Sequence, residues 1–350
     1  MTDIATDSLL SVEGLRVDYR QRGLRRGSHR AVDDVSFAIA PHETLGLVGE
    51  SGSGKSTIGR AVLGLVRPSA GHIRLNGREI TGRGRSAGQR REIAKDLQVV
   101  FQDPYTSLNP SRTIGRTLTE PLETQGRLSA AEALGEVERL LASVGLPVDT
   151  SGRYPHAFSG GQRQRIAIAR ALSTTPRLVI CDEALSALDL VTQGQVLGLL
   201  ARLQRELGVA FLFIAHNLPV VHHISHRVVV LYQGRVMEQG PASLVNDDPL
   251  HPYTRALLAA VPVPDPPRQR ERRRLRAETV AASTATAQQP SGDGCPFVPR
   301  CPFAADVCRT ARPADVRVGE RTVACHMFDA ASAHPGRTAD GVLGPPRPRQ

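Results

Sequence analysis

GESGSGKST, Gly49 to Thr57, is the stretch on which the fold turns. It fits G-x-x-x-x-G-K-[ST] and stands where that pattern has meaning, after the short apolar run TLGLVGE and before a helix from about Lys55. Gly49, Gly52 and Gly54, with Ser51 and Ser53 among them, let successive backbone N–H groups turn toward phosphate oxygens. Lys55 would bridge the β- and γ-phosphates; Ser56 would ligate Mg2+, with Thr57 beside it. An ordinary strand–helix turn is the plain alternative. Against it, one of only two lysines in the chain, Lys55 and Lys95, occupies the required position. The stretch predicts a nucleotide site.

Working outward, further apolar runs read as strands: LQVVF from Leu97, LVICD from Leu178 and AFLFIAH from Ala210. Helical stretches separate them, so the pattern argues for a mostly parallel sheet covered by helices. The N-terminal LLSVEGLRVDY and AVDDVSFAIA read as the strands of an antiparallel β subdomain around an Arg/Gly-rich loop. From about 103 to 160 the pattern turns helical, notably AAEALGEVERLLASVG (Ala130 to Gly145), and predicts an inserted helical subdomain. The fold class is therefore α/β, with a small cysteine-bearing extension at the C-terminal end. The expected boundaries are a nucleotide domain over 1–262, a linker over 263–292, the extension over 293–328 and a disordered tail over 329–350. VPVPDPPRQRERRRLR, rich in proline and arginine, marks the linker.

In RLVICDE, Asp182 and Glu183 end a buried strand. Asp182 would hold Mg2+ through its water shell, and Glu183 is the candidate to polarise the attacking water. An acidic pair that merely caps a strand end is the alternative. Cys181 reads as a small core residue. A second glycine-rich helix start, FSGGQRQR (Phe158 to Arg165), again has the make-up of an anion site. One domain has no evident need of two.

That second site resembles the signature motif of the ABC ATPase family, through Ser159, Gly160, Gly161 and Gln162. In that family two nucleotide domains pair head to tail, and the signature of one caps the ATP held by the other. The resemblance makes Gln102 in VVFQDP the Q-loop residue at Mg2+ or the lytic water. It makes Ser186 to Asp189 (SALD) the D-loop at the dimer interface, with Asp189 near the nucleotide, and His216 in FIAHN the switch histidine at the γ-phosphate. It assigns Tyr19 to adenine stacking, where surface packing of an edge-strand tyrosine is the alternative. Departures are Phe158 for leucine, Ala184–Leu185 for Pro-Thr and Asn217 for Asp. None removes Glu183, His216 or Ser159, so the resemblance implies an active, not a silent, ATPase.

NDDPLHPYTRALLAAVP (Asn246 to Pro262) and GCPFVPRCPFAADVC (Gly294 to Cys308) resemble ATP-binding subunits of oligopeptide/dipeptide importers, and the likeness runs from about Leu9 to Phe328. It implies ATP and Mg2+ as cofactors, and as partners a second nucleotide-binding subunit (a second copy or a different chain), two transmembrane permease subunits and an extracytoplasmic binding protein. The place it implies is the cytoplasmic face of the membrane. Cys295, Cys301, Cys308 and Cys325 are spaced C-x5-C-x6-C-x16-C. Four thiolates suit Zn2+ or a [4Fe–4S] cluster, or the thiols stay unliganded; the close pair of ordinary zinc sites is missing. The resemblance implies the cluster, with His326 as a fallback ligand.

The 350 residues carry 44 Lys and Arg against 34 Asp and Glu, a net charge of +10. Nucleic acid, anionic lipid and phosphate ligands all suit such a charge, as does a simple bias toward arginine. The stretch RQRERRRLR reads first as a solvated linker and second as a neighbour of lipid headgroups. MTDIATDSLL lacks the apolar core of a secretory signal, and no apolar run is long enough to span a membrane. A soluble ABC protein acting on nucleic acid is the rival class, but the chain has neither tandem nucleotide domains nor a long coiled-coil insertion, and no nucleic acid partner is expected. Nickel or another small solute is the alternative to peptide cargo.

Overall fold

The computed structural model describes residues 8–20, 28–81, 86–103, 105, 107–124, 130–261 and 293–336. The linker expected over 263–292 lies outside the described residues, as do residues 337–350 of the expected tail. Two compact units interleave along the chain: one draws on 1–15, 36–45 and 56–215, the other on 16–35, 46–55 and 216–350.

In the first unit, Leu178–Asp182 runs parallel between Leu97–Val100 and Ala210–Ala215. The register sets Cys181 beside Val100 on one side and Phe213 on the other. Leu178, Ile180 and Cys181 are wholly buried, as strands covered on both faces must be, which is why these runs are continuously apolar. Burial also pushes the Cys181 thiol up to about 12, so it is a core group and not a nucleophile. The helix Gly160–Leu172 packs on Leu97–Val100 and on the helix Leu190–Leu207. A smaller sheet has the order Ser28–Ile39, Leu10–Arg20, Ala70–Leu75, Arg78–Glu79. Its last two strands are antiparallel, joined through Asn76 and Gly77, both with positive φ.

The described residues between 103 and 160 hold no strand. Ile114–Thr124 and Ala130–Ser143 pack together, burying Leu118, Leu122, Val137, Leu140 and Leu141. This is the inserted helical subdomain.

In the second unit, Arg227–Tyr232 and Arg235–Pro241 form an antiparallel hairpin. The cysteine-bearing segment extends it. Arg321–Ala324 pairs with the hairpin through Glu238↔Val323 and Gln239↔Thr322, and Asp315–Val318 pairs with Arg321–Ala324. The segment is short of apolar residues but gains its core here: Val323 and Cys325 pack with Leu250 and Met327. Glu238 is fully buried beneath, its carboxylate accepting from the N–H groups of Leu250 (2.9 Å) and His251 (3.0 Å). Of the tail expected from 329, residues 329–336 are described. His334 there is 6% exposed, and its Nε2 lies 2.8 Å from the Phe303 carbonyl oxygen.

Candidate functional site

Gly49–Lys55 follows the strand Thr44–Val48 and leads into the helix Lys55–Val62. The glycines are required by contact as well as by turning. A Cβ at Gly49 would strike the Leu231 carbonyl oxygen and one at Gly54 that of Ala31; Gly52 and Gly54 have φ of 78° and 100°. Lys55 is 3% exposed. Its ammonium donates to the carbonyl oxygens of Gly49 (2.7 Å) and Glu50 (2.8 Å) and lies 3.4 Å from Ser53 Oγ. Those partners are neutral oxygens on the loop itself, which phosphate oxygens can replace, so the loop fits a polyphosphate.

At the second position of the helix, Ser56 Oγ donates to Asp182 Oδ1 at 2.9 Å. A hydroxyl and a carboxylate this close are the oxygen ligands a Mg2+ ion takes, so this pair fits the metal. Asp182 ends its strand, and Glu183 follows with φ of 49°, a left-handed conformation rare for a side-chain-bearing residue. Its N–H bonds the Ile214 carbonyl oxygen at 3.0 Å, and its own carbonyl accepts from the N–H and hydroxyl of Ser186. The turn is thus held at three points while the Glu183 side chain stays partly exposed. Sites that hold such strain are often functional.

Ser159 caps the helix Gly160–Leu172 in a reciprocal box: its hydroxyl accepts from Gln162 N–H (3.3 Å) and its own N–H donates to Gln162 Oε1 (3.0 Å). Ser159 and Gln162 are exposed. A Cβ on Gly161 would collide with Thr192 Cγ2, so this glycine also has a packing reason. Asp189 caps Leu190–Leu207, accepting from Thr192 N–H (3.0 Å) and Thr192 Oγ1 (2.7 Å), which holds its carboxyl below the usual range. Leu190 and Val191 just after it are 84% and 72% exposed. Gln102, Tyr19 and His216 are exposed at strand ends. Asn217 follows His216, its Oδ1 buried and without a hydrogen-bond partner among the described residues.

Two contacts on the loop escaped the sequence reading. The Glu50 N–H donates to the Tyr253 hydroxyl at 3.0 Å, and the Arg300 guanidinium grips the Glu50 carboxylate through two bonds of 2.8 and 2.9 Å. Tyr253 lies in the HPY stretch, whose signal was legible as a resemblance but not as a contact.

Comparison with known proteins fits this geometry. Residues 32–186 match the ABC transporter family model, and residues 237–308 match the oligopeptide/dipeptide transporter C-terminal region. The oligopeptide transport ATP-binding protein AppF of Bacillus subtilis (strain 168) is 45% identical over 303 residues, covering 86% of this chain and 91% of AppF. The chain belongs to the oligopeptide/dipeptide family of ABC transporter ATP-binding subunits. As such it is an ATPase. The glutathione import ATP-binding protein GsiA of Escherichia coli O157:H7 is 54% identical to this ABC subunit over 233 residues, which is 67% of this chain and 37% of GsiA. Among solved structures, the dimeric post-hydrolysis state of the ATP-binding cassette MJ0796 bound to ADP and Pi superposes with a TM-score of 0.59 at 26% identity, covering 67% of this chain and 98% of that one.

In the C-terminal part of this ABC subunit, Cys295, Cys301, Cys308 and Cys325 line one cavity, with Phe297, His326 and His334 among its other walls. Burial pushes Cys295 up to about 11 and Cys301 and Cys325 up to about 12. His326 Nε2 lies 3.0 Å from the Ala311 carbonyl oxygen, and its buried Nδ1 has no hydrogen-bond partner among the described residues. Among the described residues no three His, Cys, Asp or Glu side chains form a group set to hold a metal ion. The four thiols therefore share a cavity without forming a ready ligand set. No helix among the described residues is long and apolar enough to cross a membrane.

Proposed function

We propose that this chain is the peripheral, cytoplasmic-face ATPase of a peptide importer, and that its ATP sites are completed by a second nucleotide-binding subunit. The peptide cargo is carried over from the printed roles of relatives such as AppF. The observation that carries the dimer is the second glycine-rich helix start. Ser159, Gly160, Gly161 and Gln162 sit at an exposed helix N-terminus that carries its own capping box. Leu190 and Val191, large, apolar and largely exposed beside the D-loop, suit a face that a partner covers.

In this reading Lys55 and the loop N–H groups bind the phosphates. Ser56, Asp182 and Gln102 would hold Mg2+, which supplies charge neutralisation at the β- and γ-phosphates. Glu183 takes the proton of the attacking water. His216 orients it against the γ-phosphate, Tyr19 stacks on adenine, and Ser159 to Gln162 with Asp189 serve the partner's nucleotide. Two permease subunits and an extracytoplasmic binding protein complete the importer. If the extension binds the [4Fe–4S] cluster that the resemblance implies, Cys295, Cys301, Cys308 and Cys325, which line one cavity, would hold its iron as thiolates.

Complementation tests the reading. Lys55→Ala removes the phosphate grip, and Ser159→Arg blocks the signature. Mixing the two inactive chains in MgATP is expected to regenerate one intact composite site and recover activity. A mixture no more active than its parts would contradict completion by a second copy of this chain.

A further inference from the structure

Glu50 is the second residue of the phosphate loop, and it is tied at every polar group it has. Its carbonyl accepts from Lys55, its N–H donates to Tyr253 Oη, and its carboxylate takes both arms of the Arg300 guanidinium. Arg300 ends the turn Val298–Arg300 and directly precedes Cys301. Its guanidinium lies 5.7 Å from the centroid of the Tyr232 ring and 5.6 Å from that of Phe297. Tyr253 closes the set, 4.6 Å from Tyr232 and 5.4 Å from Phe297. An aromatic block thus fixes the arginine, and the arginine fixes the loop.

Electrostatics gives this a consequence. Glu50 puts a negative charge on the loop that must receive a polyphosphate, where like charges repel. An isolated surface ion pair contributes little. Here both side chains are partly exposed, at 49% and 40%, but the geometry is bidentate and the guanidinium is backed by two rings. We propose that Arg300 is a positioning residue for the phosphate loop: it holds and neutralises the Glu50 carboxylate, and so makes nucleotide affinity depend on the cysteine-bearing segment that carries it. The inference rests on the reading of residues 49–57 as the phosphate site.

The test is MgADP binding to the full-length chain by calorimetry, with melting temperatures as a check of folding. Arg300→Gln is expected to bind about threefold to tenfold more weakly, the deficit shrinking as salt is raised. Adding Glu50→Gln to that variant removes the anion and is expected to recover affinity to within about twofold of wild type. Glu50→Gln alone is expected to bind at least as tightly as wild type, and that arm stands even if Arg300→Gln fails to fold. Unchanged affinity in a folded Arg300→Gln would overturn the proposal. So would a double variant as weak as Arg300→Gln, or weaker binding by Glu50→Gln alone. MgADP bound equally well by Lys55→Ala would instead overturn the phosphate-site reading itself.

Discussion

Ser56 Oγ lies 2.9 Å from Asp182 Oδ1, joining the helix behind the phosphate loop to the end of a buried strand 126 residues further along the chain. The hydroxyl donates to the carboxylate. In the proposed site both would serve Mg2+, as ligands or through its waters. Asp182→Asn keeps the hydrogen bond but loses the charge. Its apparent Mg2+ affinity in the presence of ADP should fall about tenfold to a hundredfold, while Mg2+-free ADP binding changes little. Titrating Mg2+ at fixed ADP checks this.

Ser159 stabilises its helix irrespective of any partner. Ser159→Ala removes the acceptor for Gln162 N–H and should lower stability by about 1 kcal/mol, read by denaturant unfolding. If the proposed trans site is correct, it also weakens ATP-dependent pairing beyond that loss. The control is Ser86→Ala, a capping box of the same kind on the helix Ala87–Asp96, which should lower stability without touching pairing.

Tyr19 is 38% exposed at the end of its strand, in position to offer a ring face. Tyr19→Ala should weaken ATP binding by roughly tenfold and Tyr19→Trp should keep it, because base stacking requires only a π-face. Equal affinity in all three proteins would return Tyr19 to surface packing.

His251 gives the fold a pH dependence. Burial holds its imidazole neutral and pushes its pKa from 6.5 down to about 3. The unfolded chain takes up a proton near 6.5 that the folded chain refuses. Stability from this group is therefore fully present above pH 6.5 and is lost as pH falls toward 3, by at most about 1.4 kcal/mol per pH unit. His251 Nδ1 also accepts from Tyr253 N–H at 2.9 Å, a bond His251→Asn can imitate. Unfolding of the two proteins from pH 7 to pH 4 should show a shallower slope for the variant.

Much of this was written locally. The phosphate loop, the strands Leu178–Asp182 and Ala210–Ala215 and the helical stretch from Ala130 follow from apolar period and glycine placement, and they appear within a residue or two of where the sequence puts them. The hairpin turns at Asn76–Gly77 and Gln233–Gly234 carry a short-range signal that the reading passed over. Asp315–Val318 and Arg321–Ala324 were not legible as strands, because alternating polar residues declare a strand only once a neighbour is known. The roles of Gln102, Asp189 and His216 come from resemblance, and the fold adds a local reason only for Asp189, as a helix cap. The grip of Arg300 on Glu50 spans 250 residues and has no signature in either stretch.

In the proposed reading two nucleotide domains must meet around ATP, and a trapped dimer tests pairing between copies of this chain most directly. Glu183→Gln should bind ATP normally and lose about a hundredfold to ten-thousandfold in hydrolysis. In MgATP it should then elute with light scattering at twice the 37.7 kDa chain mass, and revert to one chain in ADP. A Glu183→Gln chain that binds MgATP and stays at 37.7 kDa would contradict pairing of two copies of this chain and assign the second nucleotide domain to a different subunit.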